Sequence, residues 1–403
     1  MSEPLIVIGN GMATARFVDE LAKRALGRYA VAVIGEEPRL AYNRVLLSAL
    51  LADEVGVADI ELKPARWWRD RGVTVRYGVR ATAIDPAART VALANGTVLS
   101  FSKLVLATGS QPIKLDLPGM DLPGVLTFRD VNDVNTIAAR KGTRVVVIGG
   151  GLLGLEAAYG LAKAKAQVTV VHLMDRLMER QLDARAAVML KRAVEAKGIT
   201  VRLEAQTARI VGNGKVEGVE LCDGTTIAAD AVVIAVGIRP STELARAGGL
   251  EVNRGIVVDD QLETSASGIY AIGECAEHRG LCYGLVEPAY EHAQLLARKL
   301  AGESVNYSGS VLATNLKVSG VNVFSAGEFL GRPAGADEIV LSDPGIGIYK
   351  RLVIAADRLV GAVLFGDTAD GLWYLDLIRA GASIARLRDD LVFGRALATR
   401  PAA

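Results

Sequence analysis

Cysteine is scarce in this chain: Cys222, Cys275 and Cys282 are the only three in 403 residues. Without a C-x-x-C pair they exclude a disulfide framework and a dithiol redox motif, and Cys275 and Cys282, seven apart, read as packing residues. Histidine is as rare, and His172, His278 and His292 lie too far apart for a local metal cluster, so no metal site is expected. Charge of one sign is missing as well. Lys+Arg 46 against Asp+Glu 45 gives +1, no basic block stands out, and nucleic acid is excluded as a partner. No uninterrupted apolar run reaches the ~18 residues of a membrane span. The N-terminus enters the apolar run Leu5-Ile6-Val7-Ile8 with no basic region and no cleavage site ahead of it. These absences predict a soluble, cytoplasmic protein with no membrane contact.

What is abundant is glycine and apolar surface. Glycine makes up 43 of 403 residues, roughly 11% against a typical ~7%. Such an excess sits where backbone must turn tightly or approach a ligand. Hydrophobic residues form 51% of the chain, enough for sizeable cores. At ~150 residues per domain the length implies two to three domains.

Two stretches share one grammar, about 140 residues apart. Leu5 to Gly11 is followed by a helical pattern from Met12 to Leu26 and an apolar run Ala30 to Ile34. Arg144 to Gly151 is followed by a helical pattern from Leu152 to Lys163 and the run Val168 to Val171. Strand, glycine turn, helix, strand is the unit of a parallel, doubly wound sheet. Further strands are expected at Val73–Val75, Thr90–Leu93, Leu104–Ala107, Thr200–Leu203, Val216–Leu221, Ala231–Val236 and Gly268–Ile272. Gln111–Asp121 carries two prolines and suits a crossover, and Val286–Leu300 reads as a helix. From about Ala313 the pattern changes to strands Leu316–Phe324, Ile346–Ile354 and Leu359–Leu364, then one helix, Asp370–Ala380, that opens with Trp373 and Tyr374.

The first turn, Gly9-Asn10-Gly11-Met12-Ala13-Thr14, offers main-chain N–H groups at a helix start to a pyrophosphate, which a Cβ would block. Thr14 replaces the third glycine of the fingerprint. Glu36, 27 residues after Gly9, ends the second strand, where a carboxylate accepts ribose hydroxyls. The second turn, Gly149-Gly150-Gly151-Leu152-Leu153-Gly154, keeps all three glycines. Its ribose position holds His172, which leaves NADH against NADPH open, with Arg176 and Arg180 close in sequence. Two dinucleotide sites in one chain imply a flavin in one and a pyridine nucleotide in the other.

Beyond these fingerprints, longer strings resemble the two-dinucleotide-binding flavoproteins, and more narrowly the FAD/NAD(P)-binding N-terminal region of the assimilatory nitrite reductase large subunit. They are Gly35-Glu36-Glu37-Pro38-Arg39-Leu40-Ala41-Tyr42-Asn43-Arg44, His172-Leu173-Met174, Leu177-Met178-Glu179-Arg180-Gln181-Leu182-Asp183, Gly273-Glu274-Cys275-Ala276-Glu277-His278 and Tyr349-Lys350-Arg351-Leu352. The resemblance implies an α/β fold with two Rossmann-like domains, for FAD and NAD(P), plus a small α+β C-terminal domain. FAD would take residues 1–112 and 240–312, NAD(P) residues 113–239, and the last domain residues 313–403.

The resemblance also carries candidate cofactor contacts. Toward FAD these are Gly9, Gly11, Met12, Ala13, Glu36, Arg44, Ala81, Ala107, Thr108, Gly109, Arg129, Gly273 and Glu274, the last near a helix start. Toward the pyridine nucleotide they are Gly149, Gly151, Leu153, Gly154, Glu156, His172, Gly237 and Glu287. Related reductases place a lysine where Ala49 stands and pair it with a glutamate matching Glu156. A buried carboxylate lacking that cation has a raised pKa, so Glu156 is expected to face the nicotinamide, and no side chain is an essential acid or base. Hydride would pass from NADH or NADPH to FAD, and electrons onward to a nitrate or nitrite reductase subunit or a small iron–sulfur protein. Three scattered cysteines cannot ligate an iron–sulfur or sirohaem centre. Two rival implications are a rubredoxin or ferredoxin reductase of an oxygenase system and an NADH-responsive flavoprotein that acts through protein interactions.

Overall fold

Five apolar segments far apart in the chain pair into one parallel sheet. Its order is Thr74–Tyr77, Tyr29–Gly35, Glu3–Ile8, Lys103–Leu106, Ile269–Ala271. The run Leu5-Ile6-Val7-Ile8 does not alternate because both of its faces are covered, and all four residues are buried. Helix Met12–Ala25 buries Thr14, Phe17, Val18 and Leu21, spaced three and four apart, and helix Val286–Leu300 buries Ala289, His292, Ala293, Leu296 and Leu300 in the same rhythm. Each large apolar side chain so covered contributes roughly 1.5–3 kcal/mol. Strand order runs outward from Glu3–Ile8 and then reverses to its other side at Lys103–Leu106. In such sheets the crevice at the reversal, beyond the C-terminal strand ends, is where ligands bind.

The structure, a computed structural model, describes residues 2–25, 27–318, 320–331 and 335–399. The chain divides into two compact units, and this sheet belongs to the first, made of Met1–Leu47, Val55–Ile113 and Ile238–Ser310. An antiparallel trio, Ala81–Asp85, Thr90–Leu93 and Val98–Ser100, completes it with smaller ribbons. The proline-bearing crossover opens on a strand, Ser110–Pro112, paired antiparallel with Ile238–Pro240 where the chain returns.

The second unit comprises Ser48–Glu54, Lys114–Gly237 and Val311–Ala403. Its parallel sheet runs Thr200–Arg202, Gln167–Val171, Arg144–Ile148, Ala231–Ile234, Val125–Thr127, again reversing beside the strand that feeds a glycine turn. Helix Leu152–Lys163 buries residues on most of its circumference, and Leu51 of the Ser48–Glu54 excursion packs against its Gly160, where a Cβ would meet Leu51 Cγ at 2.8 Å. Helices Val131–Ala138 and Ala184–Glu195 open on aspartate caps, Asp130 and Asp183.

The C-terminal sheet is antiparallel throughout, in the order Ala313–Val318, Val321–Gly327, Arg358–Phe365, Ile348–Ala355, Asp337–Asp343. The single strand expected at Leu316–Phe324 is instead a hairpin. Gly320, at φ +79°, supplies the left-handed backbone that reverses the chain, and the apolar positions change phase there, from Leu316 and Val318 to Val321 and Val323. Helix Gly371–Ala380 covers this sheet; Tyr374 is fully buried, and its hydroxyl donates to Leu391 O at 2.7 Å. No helix among the described residues is long and apolar enough to cross a membrane.

Candidate functional site

In the first unit, three chain segments leave adjacent strand ends side by side. Gly9 to Thr14 follows Glu3–Ile8, Ala107-Thr108-Gly109 follows Lys103–Leu106, and Gly273-Glu274 follows Ile269–Ala271. The two glycines of the first turn do different work. Gly9, at φ +111°, presses on the neighbouring segment, and a Cβ there would lie 2.0 Å from Ala107 O. Gly11 faces open space, with no atom of the described residues beyond its own chain neighbours within 4 Å of an added Cβ. Its lack of a side chain is not demanded by packing, and it leaves the N-terminus of helix Met12–Ala25 accessible to a phosphate. Thr14, at the third position, is buried and donates its hydroxyl to Gly9 O at 2.6 Å, so a side chain at this position helps close the turn.

The remaining first-unit candidates surround that crevice. Thr108 Oγ1 donates to Ser241 O at 2.7 Å, and Gly273, at φ +78°, faces Ala13, with 3.2 Å from an added Cβ to Ala13 Cβ. Glu274 stands in a three-residue 3-10 turn, Gly273–Cys275, rather than at the start of a long helix, and its carboxylate accepts from Ser110 Oγ at 2.7 Å. The turn is held from beneath by His292, whose Nδ1 accepts the Gly273 N–H at 3.2 Å. Burial pushes that imidazole down to about 3.

Glu36 is exposed just past strand Tyr29–Gly35, and the segment leading to Ala81 runs beside it, with Val79 N donating to Gly35 O. Arg44 is engaged by the Glu37 carboxylate and by Tyr42, whose hydroxyl it reaches at 2.8 Å. Glu287 is exposed in the first turn of helix Val286–Leu300. Arg129 belongs to the second unit, ahead of helix Val131–Ala138, and its main-chain N–H donates to Asp133 Oδ2 at 2.7 Å.

The second unit repeats the turn more tightly. Gly149, at φ +121°, would place a Cβ 2.2 Å from Ala235 O, and Gly154 would place one 2.0 Å from Gly149 O. Gly151, like Gly11, faces open space, at the N-terminus of the helix that carries Leu153 and Glu156. Gly237, at φ +118°, follows the neighbouring strand Ala231–Ile234. Glu156 is 8% exposed and hydrogen-bonded with the Ser48 hydroxyl. Burial pushes its carboxyl up to about 8, more than that single hydrogen bond brings it down.

His172 follows strand Gln167–Val171, and its Nδ1 accepts the Gly150 N–H at 3.0 Å. Its Nε2 meets Glu179 Oε2 at 3.2 Å. Arg176 pairs with Asp175 at 3.1 Å and Arg180 with Glu179 at 3.9 Å. Two polar partners here, Ser48 and Glu179, were absent from the candidates read in the sequence. Glu179 was within reach, seven residues past His172 in a string already singled out, whereas Ser48, 108 residues before Glu156, matches the family only as part of the segment that runs on from Arg44, and nothing local joins it to Glu156.

Two parallel sheets, each reversing its strand order beside a glycine turn whose second glycine faces open space, define the class of two-dinucleotide flavoproteins. The chain belongs to the pyridine nucleotide-disulphide oxidoreductase family, whose model matches residues 3–295, and the rubredoxin NAD+ reductase C-terminal domain matches residues 313–382. The chain is 44% identical to a nitrite reductase [NAD(P)H] of Bacillus subtilis over 94% of this chain and 48% of that one. With the assimilatory nitrate reductase electron transfer subunit of the same organism it shares 38% over 96% of this chain and 51% of the relative. The chain therefore spans about half the length of these relatives. The crystal structure of the ferredoxin reductase for the CYP199A2 system from Rhodopseudomonas palustris matches with TM-score 0.85 and 28% identity, over 94% of this chain and all of that one.

Proposed function

We propose that this chain takes electrons from NAD(P)H through FAD and hands them to a separate redox protein of nitrate or nitrite assimilation. The observation that carries the reading is the likeness, over nearly the whole chain, to a nitrate reductase electron transfer subunit and a nitrite reductase. Bound FAD supplies the chemistry, taking up hydride from the nicotinamide and releasing electrons onward. The first-unit crevice would hold it, the open face at Gly11 with Met12 and Ala13 meeting the pyrophosphate and Glu36 the ribose. Ala81, Ala107, Thr108, Gly109, Gly273 and Glu274 would line the rest, with Arg44 beside them. The second turn, from Gly149 to Gly154 with His172 and Gly237, would hold NAD(P)H. Residues 1–112 and 240–312, 113–239 and 313–403 serve as FAD, NAD(P) and C-terminal domains in this reading. Glu156, which keeps its proton at neutral pH, would donate a hydrogen bond within the nicotinamide pocket.

Anaerobic stopped-flow mixing with NADH and with NADPH tests it: the flavin absorbance bleaches with one or both, and reoxidises when a nitrate or nitrite reductase subunit is added. No bleaching with either nucleotide overturns the reading. A second reading, a ferredoxin- or rubredoxin-type reductase, is favoured by the C-terminal domain match and by the ferredoxin reductase structure. Cytochrome c reduction that depends on an added ferredoxin or rubredoxin, and not on a nitrate-assimilation subunit, would establish it instead.

A further inference from the structure

The segment after strand Gln167–Val171 folds back over the second glycine turn. Met178 N–H donates to Gly150 O at 3.0 Å, and Met178 adopts a left-handed backbone, φ +51°, with its side chain fully buried. This return puts Glu179 against His172. An added Cβ at Gly150 would lie 2.7 Å from His172 Cγ and from Leu177 Cδ2, so the ring and the returning segment are packed onto the turn itself. His172 Nδ1 accepts a main-chain N–H, so its proton resides on Nε2, and Nε2 donates to Glu179 Oε2. The ring therefore acts as a bracket with one hydrogen bond on each side, and it aims a carboxylate beside the end of the strand where ribose hydroxyls are read.

We propose that Glu179, oriented by His172, accepts the adenosine ribose hydroxyls of the pyridine nucleotide and makes the chain selective for NADH over NADPH. The assignment rests on the reading that the second turn takes NAD(P)H. A 2′-phosphate would bring negative charge against a carboxylate that its histidine holds in place, and like charges opposed in this way discriminate strongly. Two arginines nearby do not reverse that balance. Arg176 faces Asp175, and Arg180 is 85% exposed and itself beside Glu179. Arg176 is half-buried with its guanidinium on Asp175, and the Arg180 charge stands in solvent, where it is screened.

The test is equilibrium binding of ADP-ribose and of its 2′-phosphate to the FAD-loaded protein, by calorimetry, for wild type and for Glu179→Gln. Wild type binds ADP-ribose more tightly, by about tenfold or more, a tenfold ratio being ~1.4 kcal/mol. Glu179→Gln keeps a hydrogen-bond acceptor for His172 and brings the ratio close to one, and kcat/KM for NADH and NADPH converge in parallel. Equal binding by wild type, or a ratio unmoved in Glu179→Gln, overturns the proposal; so does a preference for the 2′-phosphate, which would point to Arg176 or Arg180. Failure of both ligands to bind overturns the dinucleotide reading, and this proposal with it. An unchanged melting temperature and flavin content show that the variant is folded, and the wild-type ratio needs no variant.

Discussion

Glu156 keeps a proton that the unfolded chain gives up, and the consequence is a stability that falls as pH rises. Its carboxyl is pushed up to about 8 by burial, against an unfolded value of 4.5. The native advantage is whole below pH 4.5 and is lost as pH climbs toward 8. At ~1.4 kcal/mol per pH unit the loss is about 3 kcal/mol at pH 7 and levels off near 5 kcal/mol above pH 8. Glu156→Gln has the shape and hydrogen-bonding capacity of the protonated acid without its titration. Urea unfolding followed by circular dichroism should give nearly equal stabilities at pH 5, with the variant ahead by about 3 kcal/mol more at pH 8 than at pH 5. Ser48→Ala removes the hydrogen bond that holds the carboxyl down, so in that variant the decline with pH should extend further upward. Wild-type and Glu156→Gln profiles that stay parallel from pH 5 to pH 8 would refute the reasoning.

Gly9→Ala and Gly11→Ala should separate folding from cofactor binding. The first drives a Cβ to 2.0 Å from Ala107 O at φ +111° and should cost about 3 kcal/mol of stability, while the second meets nothing in the protein and should fold normally yet retain several-fold less FAD on purification. Tyr349→Phe removes the hydroxyl that donates to Asp183 Oδ2 at 2.6 Å, tying the C-terminal sheet to the cap of helix Ala184–Glu195; a loss of about 1.5–3 kcal/mol in urea unfolding is expected. The His292 ring, pushed down to about 3, should show no NMR titration between pH 8 and pH 5, and stability should decline once pH falls below 6.5, where the unfolded ring takes up a proton that the native one refuses.

The α/β class and both strand–turn–helix units were legible because backbone geometry there admits so few residue types. Gly9 and Gly149 need positive φ and a close approach, and the strands flanking them are apolar on both faces, so pattern and composition agree. The hairpin at Val318–Val321 leaves only a faint mark in the sequence, a Ser-Gly dipeptide across which the apolar positions shift from Leu316 and Val318 to Val321 and Val323. Helix Ala184–Glu195 was missed although its signal was present. Asp183 caps it, and Ala186, Ala187, Leu190 and Val194 recur at helical spacing, just past the end of the string whose likeness to known proteins stops at Asp183. The site was legible where one strand end carries it and illegible where chain return creates it. Glu179 reaches His172 only because Met178 takes a left-handed turn, and Ser48 reaches Glu156 only because Ser48–Glu54 folds with the second unit.

The two glycine turns share a motif and differ in how the helix is seated, which yields a reciprocal test. At the third position of the first turn, Thr14 has room for a side chain, and its hydroxyl satisfies Gly9 O. At the same position of the second turn, a Cβ on Gly154 would lie 2.0 Å from Gly149 O, so the helix there stands against the strand with no space for a methyl group. Gly154→Ala should therefore cost about 1–3 kcal/mol by overpacking. Thr14→Val, which keeps the shape and drops the hydroxyl, should cost about 1 kcal/mol for the lost hydrogen bond. Because backbone must shift in one case and none in the other, Gly154→Ala should also raise the KM for the pyridine nucleotide, while Thr14→Val should leave that KM in place. A Gly154→Ala variant as stable as the wild type in urea unfolding would mean that this helix also has room for a methyl group, and the difference in packing would carry no energy.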